Sequence, residues 1–439
     1  MTDFITHKPS DWHIKNLEKI ASFITKGATP TTYGFEWVEE SCESVPFLRS
    51  ECVTTNGFNR KGMNFISKEA HAVMERSKIK SGDILMTITG NIGRIATLPY
   101  EIPEANINQH IAKISVVDGI SSAYIAQALQ QEHYSRYYER ILTGQAYPQI
   151  SLKQVRETPV LIPSYQEQQK IAEVLSTVDK KIDLIDQKIA ETEKLKTGLM
   201  QKLFSEGVGV QDSDGNWQPH SEFQDSPFGK IPKCWSVETL GEHTVKVGSG
   251  VTPKGGSKAY VDSGIPLIRS QNVLFGKFKL DDVAFITEQQ HDKMNGSKLQ
   301  PRDVLLNITG ASIGRCAVLP EDFDEGNVNQ HVCIIRMSES IDPDFCGWFL
   351  NSNLGQKQIW NLQAGGNREG LNFQQIRSFK IPVFSIEEQC SIVEILSTVS
   401  DKLNLLETQK SETQQLKQGL MQKLLTGEWR VPLDNPETA

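Results

Sequence analysis

The stretch LSTVDKKIDLIDQKIAETEKLKTGLMQKL (175–203) returns 221 residues later as LSTVSDKLNLLETQKSETQQLKQGLMQKL (396–424), with 16 of 29 positions identical. A chain that repeats so long a segment is built from repeated units, and this constrains the fold more than composition does. The duplication reaches further, in matching order. Pro9-x-x-Trp12 returns as Pro232-x-x-Trp235, Thr29-Pro30 as Thr252-Pro253, and Leu48-Arg49-Ser50 as Ile268-Arg269-Ser270. GDILMTITGNIGR (82–94) returns as RDVLLNITGASIGR (302–315), and Asn106-x-Asn108-Gln109-His110 as Asn327-x-Asn329-Gln330-His331. The organisation is A-B-A′-B′, with units near 9–204 and 232–425.

The B parts read as long helices of about 40 residues, roughly 60 Å at 1.5 Å per residue. Ser164 and Ser385 stand three residues before Glu167 and Glu388, the pattern of a capping box. Apolar residues then step 4-3-4-3 through Ile171, Leu175, Val178, Ile182, Ile185 and Ile189, and through Ile392, Leu396, Val399, Leu403 and Leu406. Polar residues interrupt the seam at Thr192, Lys196, Lys410, Thr413 and Lys417. Gly198 and Gly419, inside the helices, suggest close backbone approach. A lone helix must bury such a stripe, and the other copy, antiparallel to it, is the obvious partner.

The A parts read as α+β. ILMTIT and VLLNIT end at Gly90 and Gly310 as strands entering turns. The spacing over 124–142 and 345–362 predicts one helix each. Segment 205–231, rich in Gly, Ser, Asp and Pro, reads as a linker.

Catalytic signatures are missing. GSGVTPKGGSK (248–258) misplaces the lysine of a phosphate-binding loop and reads as a Gly/Lys loop. There is no HExxH or Cys/His metal spacing, and no Asn- or Asp-Pro-Pro-aromatic methyltransferase segment. His110 and His331, which occupy equivalent places, read as structural. No cofactor is expected. Seven scattered cysteines, no signal pattern and no run able to span a bilayer point to a cytoplasmic chain with no membrane association. The net charge of −8 points away from non-specific DNA binding but leaves room for a local basic face. What remains is two diverged heads joined by a nearly copied rod, which suits holding two different readers at a fixed separation.

These ordered motifs strongly resemble the specificity (S) subunits of type I restriction–modification systems over almost the whole chain. The carrying residues are Pro232-Lys-Cys-Trp235, Gly250-Val-Thr252-Pro253, the ITG-x-IGR stretches and the NQH turns. With them go Ile162-Pro163 with Glu167-Gln168, Ile381-Pro382 with Glu388-Gln389, and the Gly-Leu-Met-Gln-Lys-Leu helix ends. The first unit departs from the fuller loop, with Lys26-Gly27-Ala28-Thr29.

The resemblance implies an α+β chain with two pseudo-repeated α/β target-recognition domains separated by a pair of long antiparallel coiled-coil helices. The expected boundaries are 1–163 and 232–384 for the recognition domains, 164–205 and 385–426 for the helices, 206–231 for the linker and 427–439 for a C-terminal tail. It implies a non-catalytic subunit in which each head reads half of a bipartite double-stranded DNA target. The implied partners are two S-adenosylmethionine-dependent adenine methyltransferase (modification) subunits; restriction (motor-nuclease) subunits are a further partner class left open. Candidate DNA contacts in the first head are Arg49, Ser50, Arg60, Lys61, Gln145, Tyr147 and Gln149. In the second they are Lys254, Lys258, Arg269, Ser270, Gln271, Asn272, Asn367 and Arg368, residue types that hydrogen-bond base edges or neutralise phosphate. Arg94 and Arg315 read as structural or phosphate-facing. Two other readings remain open: a coiled-coil adaptor that organises protein partners without sequence-specific DNA binding, and a DNA-processing enzyme with an unrecognised site. A gel shift tests the first, and methyl transfer by this chain alone the second.

Overall fold

The computed structural model describes residues 8–143, 148–253, 255–363 and 370–433. The chain divides into two compact units, 1–187 with 408–439, and 188–407. Each unit therefore holds one head, half of its own long helix and half of the other.

The first head carries two four-stranded sheets. One orders Ala21–Lys26, Ile111–Val116, Ile84–Thr87 and Ile95–Thr97, all antiparallel. The other orders Asn64–Ser67, Ser44–Leu48, Glu104–Ile107 and Lys78–Lys80, and its central pair is parallel. Strand Ile84–Thr87 is buried throughout because both its faces are covered. Ile84 and Met86 face one core with the helices, while Leu85 faces a second core with Leu48, Ile107 and Ile111. The period-two alternation of a strand makes this possible, and it explains an apolar run without polar gaps. The second head repeats the design, with Val304 and Leu306 on one face of Val304–Asn307 and Leu305 on the other.

Each head closes on its own ends. His13–Asn16 pairs antiparallel with Pro159–Ile162, and Ser236–Thr239 with Lys380–Val383. The short segments before the B helices are thus strands that return to the start of the head.

The segments 124–142 and 345–362 are not single helices. Ser122–Leu129 is followed by Glu132–Arg140, and Pro343–Asn351 by Asn353–Gln363. The second break has a local cause: the Ser352 hydroxyl donates to Phe349 O (2.6 Å) and accepts from Gly355 N (3.3 Å), capping the next helix. Gly355 then packs so closely that a Cβ would sit 2.4 Å from Phe349 O.

The long helices run Tyr165–Glu206 and Ile386–Leu424. Their first turns dock into the heads, where Ile171, Leu175, Ile392 and Leu396 are fully buried. Further along the seam, Val178, Ile182, Ile189, Val399 and Leu403 are half-buried while Ile185 and Leu406 are buried, and lysines at the polar interruptions tie the helices together. In the first unit Lys417 pairs with Asp179 (2.7 Å) and Lys410 with Asp186 (2.6 Å). Stepping forward on one helix goes with stepping back on the other, which is antiparallel pairing. In the second unit Lys196 donates to Ser400 (3.3 Å) and lies over the Trp348 ring. Gly198 and Gly419 make no close approach: a Cβ at either would meet nothing within 4 Å. No described helix is long and apolar enough to cross a membrane.

Candidate nucleic-acid interface

In each head the repeated motifs meet where two parallel strands end. In the first, Ser44–Leu48 releases Arg49 and Ser50 beside the point where Glu104–Ile107 releases Asn108, Gln109 and His110, and Asn108 N donates to Leu48 O (3.1 Å). Gly27 lies against this turn so tightly that a Cβ would be 1.7 Å from Ile107 O. Thr29 Oγ1 donates to Gln109 Oε1 (2.9 Å). The ITG turn joins through Ile88 N to His110 O (2.9 Å), and Ile150 N donates to Ile88 O (3.0 Å). Gln149 pairs with Thr143 and bridges to Thr89, which sets Gln149 beside the ITG turn. Five sequence-distant segments thus share one surface. A cleft of about 530 Å³ opens between the ITG turn and the helix Glu132–Arg140, lined by Gly90, Asn91, Arg94, Tyr138 and Pro148 among others.

The second head builds the same junction. Gly250 packs on Val328 O, where a Cβ would be 1.7 Å away, Thr252 donates to Gln330, and Ile308 N donates to His331 O (3.0 Å). The Gly/Lys loop is therefore part of this junction, and Gly256–Ala259 within it is a short 3-10 helix. Asn106 and Asn327 are fully buried beneath the turns. Each accepts from a histidine, His71 (2.5 Å) or His291 (2.6 Å), and donates to Ser77 or Ser297.

Arg49 Nε donates to Gly62 O (3.1 Å), which draws the Arg60–Lys61 turn up to Arg49 and Ser50. Its Nη2 pairs with Glu51 (2.7 Å). Arg60 and Lys61 are exposed, with no side-chain partner among the described residues. In the second head Arg269 makes the equivalent contact, to Asp282 O (2.7 Å), and Gln271 donates to the Asp282 carboxylate (2.7 Å). The turn tip has changed sign: Leu280 and Asp281 occupy the places of Arg60 and Lys61. Asp282 holds φ 51°, where the first head uses Gly62 at 95°.

The remaining candidates divide. Ser50, Ser270, Gln149 and Lys258 lie on this surface half-exposed or exposed. Asn272 does not face outward. It is fully buried, accepts from Arg269 N (3.0 Å) and donates to Lys279 O and Asp281 O, shaping the turn from inside. Gln145, Tyr147, Lys254, Asn367 and Arg368 lie outside the described residues.

A second constellation fixes the helices to the heads. The Trp12 indole donates to Glu167 Oε2 (3.1 Å), and the Trp235 indole to Glu388 Oε2 (3.0 Å). Ser164 and Ser385 do cap their helices, each accepting from the glutamate amide at 3.3 Å, but the carboxylates point into the heads instead of returning to the cap. In the first unit Arg430 binds both Glu167 (2.6 Å) and Asp11 (2.8 Å), and its guanidinium holds the Asp11 carboxyl below its ordinary range. Leu424, Leu425 and Val431 join the same core. In the second unit Glu388 accepts instead from His220 Nε2 (3.0 Å), Val208 N (2.9 Å) and Gly209 N (3.0 Å). The linker after one helix and the tail after the other thus do the same work.

Among the described residues one group has metal-ligand spacing, Glu238, Glu242 and His243. Its donors are spent within the protein: both His243 ring nitrogens are taken, by Glu238 (2.8 Å) and Ser340 (2.7 Å), and Glu242 accepts from Thr239 N (3.0 Å).

Comparisons with known proteins agree with this architecture. The solved S subunit of a type I restriction–modification system from M. genitalium superposes with a TM-score of 0.58 at 17% identity, covering 94% of this chain and 96% of that one. The MjaVIII type I restriction enzyme specificity subunit of Methanocaldococcus jannaschii is 26% identical over 429 residues, 96% of this chain and 94% of that protein. The EcoBI specificity subunit of Escherichia coli is 26% identical over 375 residues, 81% and 76% of the two chains. The model of the type I restriction modification DNA specificity domain matches twice, over residues 9–194 and 232–416, each match spanning one head and most of its helix. With both halves of the repeat matched, the chain belongs to the type I restriction modification DNA specificity family.

Proposed function

We propose that this chain is the DNA-specificity subunit of a type I restriction–modification complex, each head reading one half of a bipartite double-stranded target. The observation that carries the reading is one scaffold presenting two chemistries. Arg49 and Arg269 are held alike, while the turn beside them is Arg60-Lys61 in one head and Leu280-Asp281 in the other. Guanidinium and ammonium groups suit guanine edges or phosphate, and a carboxylate suits the cytosine amino group. Two heads so equipped call for two different half-sites.

The helices then set the gap and dock two S-adenosylmethionine-dependent adenine methyltransferase subunits in the cytoplasm, with methylation and cleavage carried by partner subunits. Exposed leucines at repeat-equivalent places support docking: Leu184 (56%) with Leu405 (57%), and Leu195 (53%) with Leu416 (53%). Large apolar side chains on long helices call for cover.

Exchanging the first head, 1–163, for that of a relative tests the reading in the assembled complex. A methylation-site map is expected to change in one half-site and keep the other; change in both would overturn independent reading. Arg60→Ala with Lys61→Ala is expected to weaken specific and non-specific binding together and to flatten the salt dependence by about one unit per lost phosphate contact. A salt slope equal to that of the unaltered complex would show that these side chains do not touch phosphate.

A further inference from the structure

Cys234 and Asp11 occupy the same place in the two repeats, one residue before the buried tryptophan. In the first unit Asp11 is an anion sharing the Arg430 cation with Glu167. In the second, Cys234 Sγ lies 3.7 Å from His220 Nδ1, and His220 Nε2 lies 3.0 Å from Glu388 Oε1. The His220 and Glu388 side chains are only 5% and 4% exposed, so this arrangement is held from within. An ionised carboxylate only accepts, so Nε2 carries the proton and the Nδ1 lone pair faces the thiol. Thiol, imidazole and carboxylate therefore stand in the order of nucleophile, base and orienting group. The thiol is exposed and opens with His220, Gln218 and Lys233 onto a cavity of about 500 Å³.

We propose that Cys234 is a reactive thiol, activated by His220 and Glu388, that accepts small disulfides by thiol–disulfide exchange. The Sγ proton passes to His220 Nδ1, and Glu388 stabilises the imidazolium. Sγ attacks one sulfur of R–S–S–R, the S–S bond breaks, and the departing thiolate takes the proton back from His220. The products are a Cys234 mixed disulfide and one thiol, with the disulfide as the only oxidant. Burial, and then the Glu388 charge, raise the Cys234 thiol above its ordinary range. Reactivity therefore depends on handing the proton to His220 and not on a standing thiolate. Lys233, at the rim, is paired with Glu222 (3.0 Å). The first unit has Asp11 in this place, so the activated thiol belongs to the second unit alone.

Labelling the folded full-length chain with 4,4′-dithiodipyridine, and reading each site by peptide mass spectrometry, tests this. Cys42 and Cys390 are also exposed and serve as internal standards. Cys234 is expected to react at least about tenfold faster than either, and His220→Asn to bring it down to their rate. Equal rates in the unaltered chain overturn the proposal without recourse to any variant. So does a Cys234 rate that is unchanged or raised in His220→Asn.

Discussion

Replacing Glu388 by alanine is expected to cost the second unit about 3–5 kcal/mol, the range for removing one partner of a buried charged cluster. Four donors converge on this carboxylate: the Trp235 indole, His220 Nε2, and the amides of Val208 and Gly209. Without it they are left unpaired in a site where Glu388 itself is 3% exposed, and each buried orphan costs about 1–3 kcal/mol before relaxation. Glu388→Gln keeps an acceptor oxygen for the indole and is expected to cost less. Hydrogen exchange gives a local readout. Protection of the Val208 and Gly209 amides should fall by about two to three orders of magnitude with alanine, while amides in the first head keep theirs. Unchanged protection at Val208 and Gly209 would mean that the linker is held by something other than this carboxylate.

That cluster also marks where reading the sequence stopped. The duplication, the two helices and the strands that precede the Gly90 and Gly310 turns were legible because each is a local pattern or its repetition. The destination of Glu167 and Glu388 was not. Their place three residues after a serine matches a capping box, yet the carboxylates bond indoles 155 and 153 residues away. Nothing local distinguishes these outcomes. A signal was available in the pairing itself, since both repeats carry the same tryptophan and the same glutamate. The role of the tail after Leu424 was not legible for a related reason. Leu425 follows the repeated GLMQKL as Phe204 does, and both are buried, but only the folded unit shows Arg430 reaching Glu167 and Asp11.

The convergence of the repeated motifs on one surface was legible to a similar depth. Arg49, Ser50, Arg269 and Ser270 stand out as candidates because repeats place them at strand ends, and the strand ends do converge. Asn272 misled because its residue type suits a base edge, while its neighbours' backbone groups claim both ends of its amide. The sign change between Arg60-Lys61 and Leu280-Asp281 needed the folded turns, because only the shared contact of Arg49 and Arg269 aligns the two tips.

Inserting one heptad into each long helix, after Gln187 and after Glu407, is expected to move the preferred target to a longer gap. These are the points where the chain passes between its two compact units, so neither head loses residues from its core. Seven residues keep the apolar seam in phase and add about 10.5 Å to each helix at 1.5 Å per residue. An insertion after Leu203 would be less informative, because it would displace Phe204, which is fully buried against Phe345 and Phe349 in the second head. At about 3.4 Å per base pair, 10.5 Å corresponds to roughly three base pairs of extra gap. Three base pairs also turn the far half-site by nearly a third of a helical turn, since B-DNA repeats in about 10 base pairs. A rigid spacer cannot meet both demands at the original spacing. Binding there is expected to fall at least about tenfold, the equivalent of 1.4 kcal/mol. In a library of targets that varies only the gap, the optimum should lie several base pairs longer, with both half-sites unchanged. If the complex still prefers the original gap, the long helices do not measure it, and the spacing must be set within the heads.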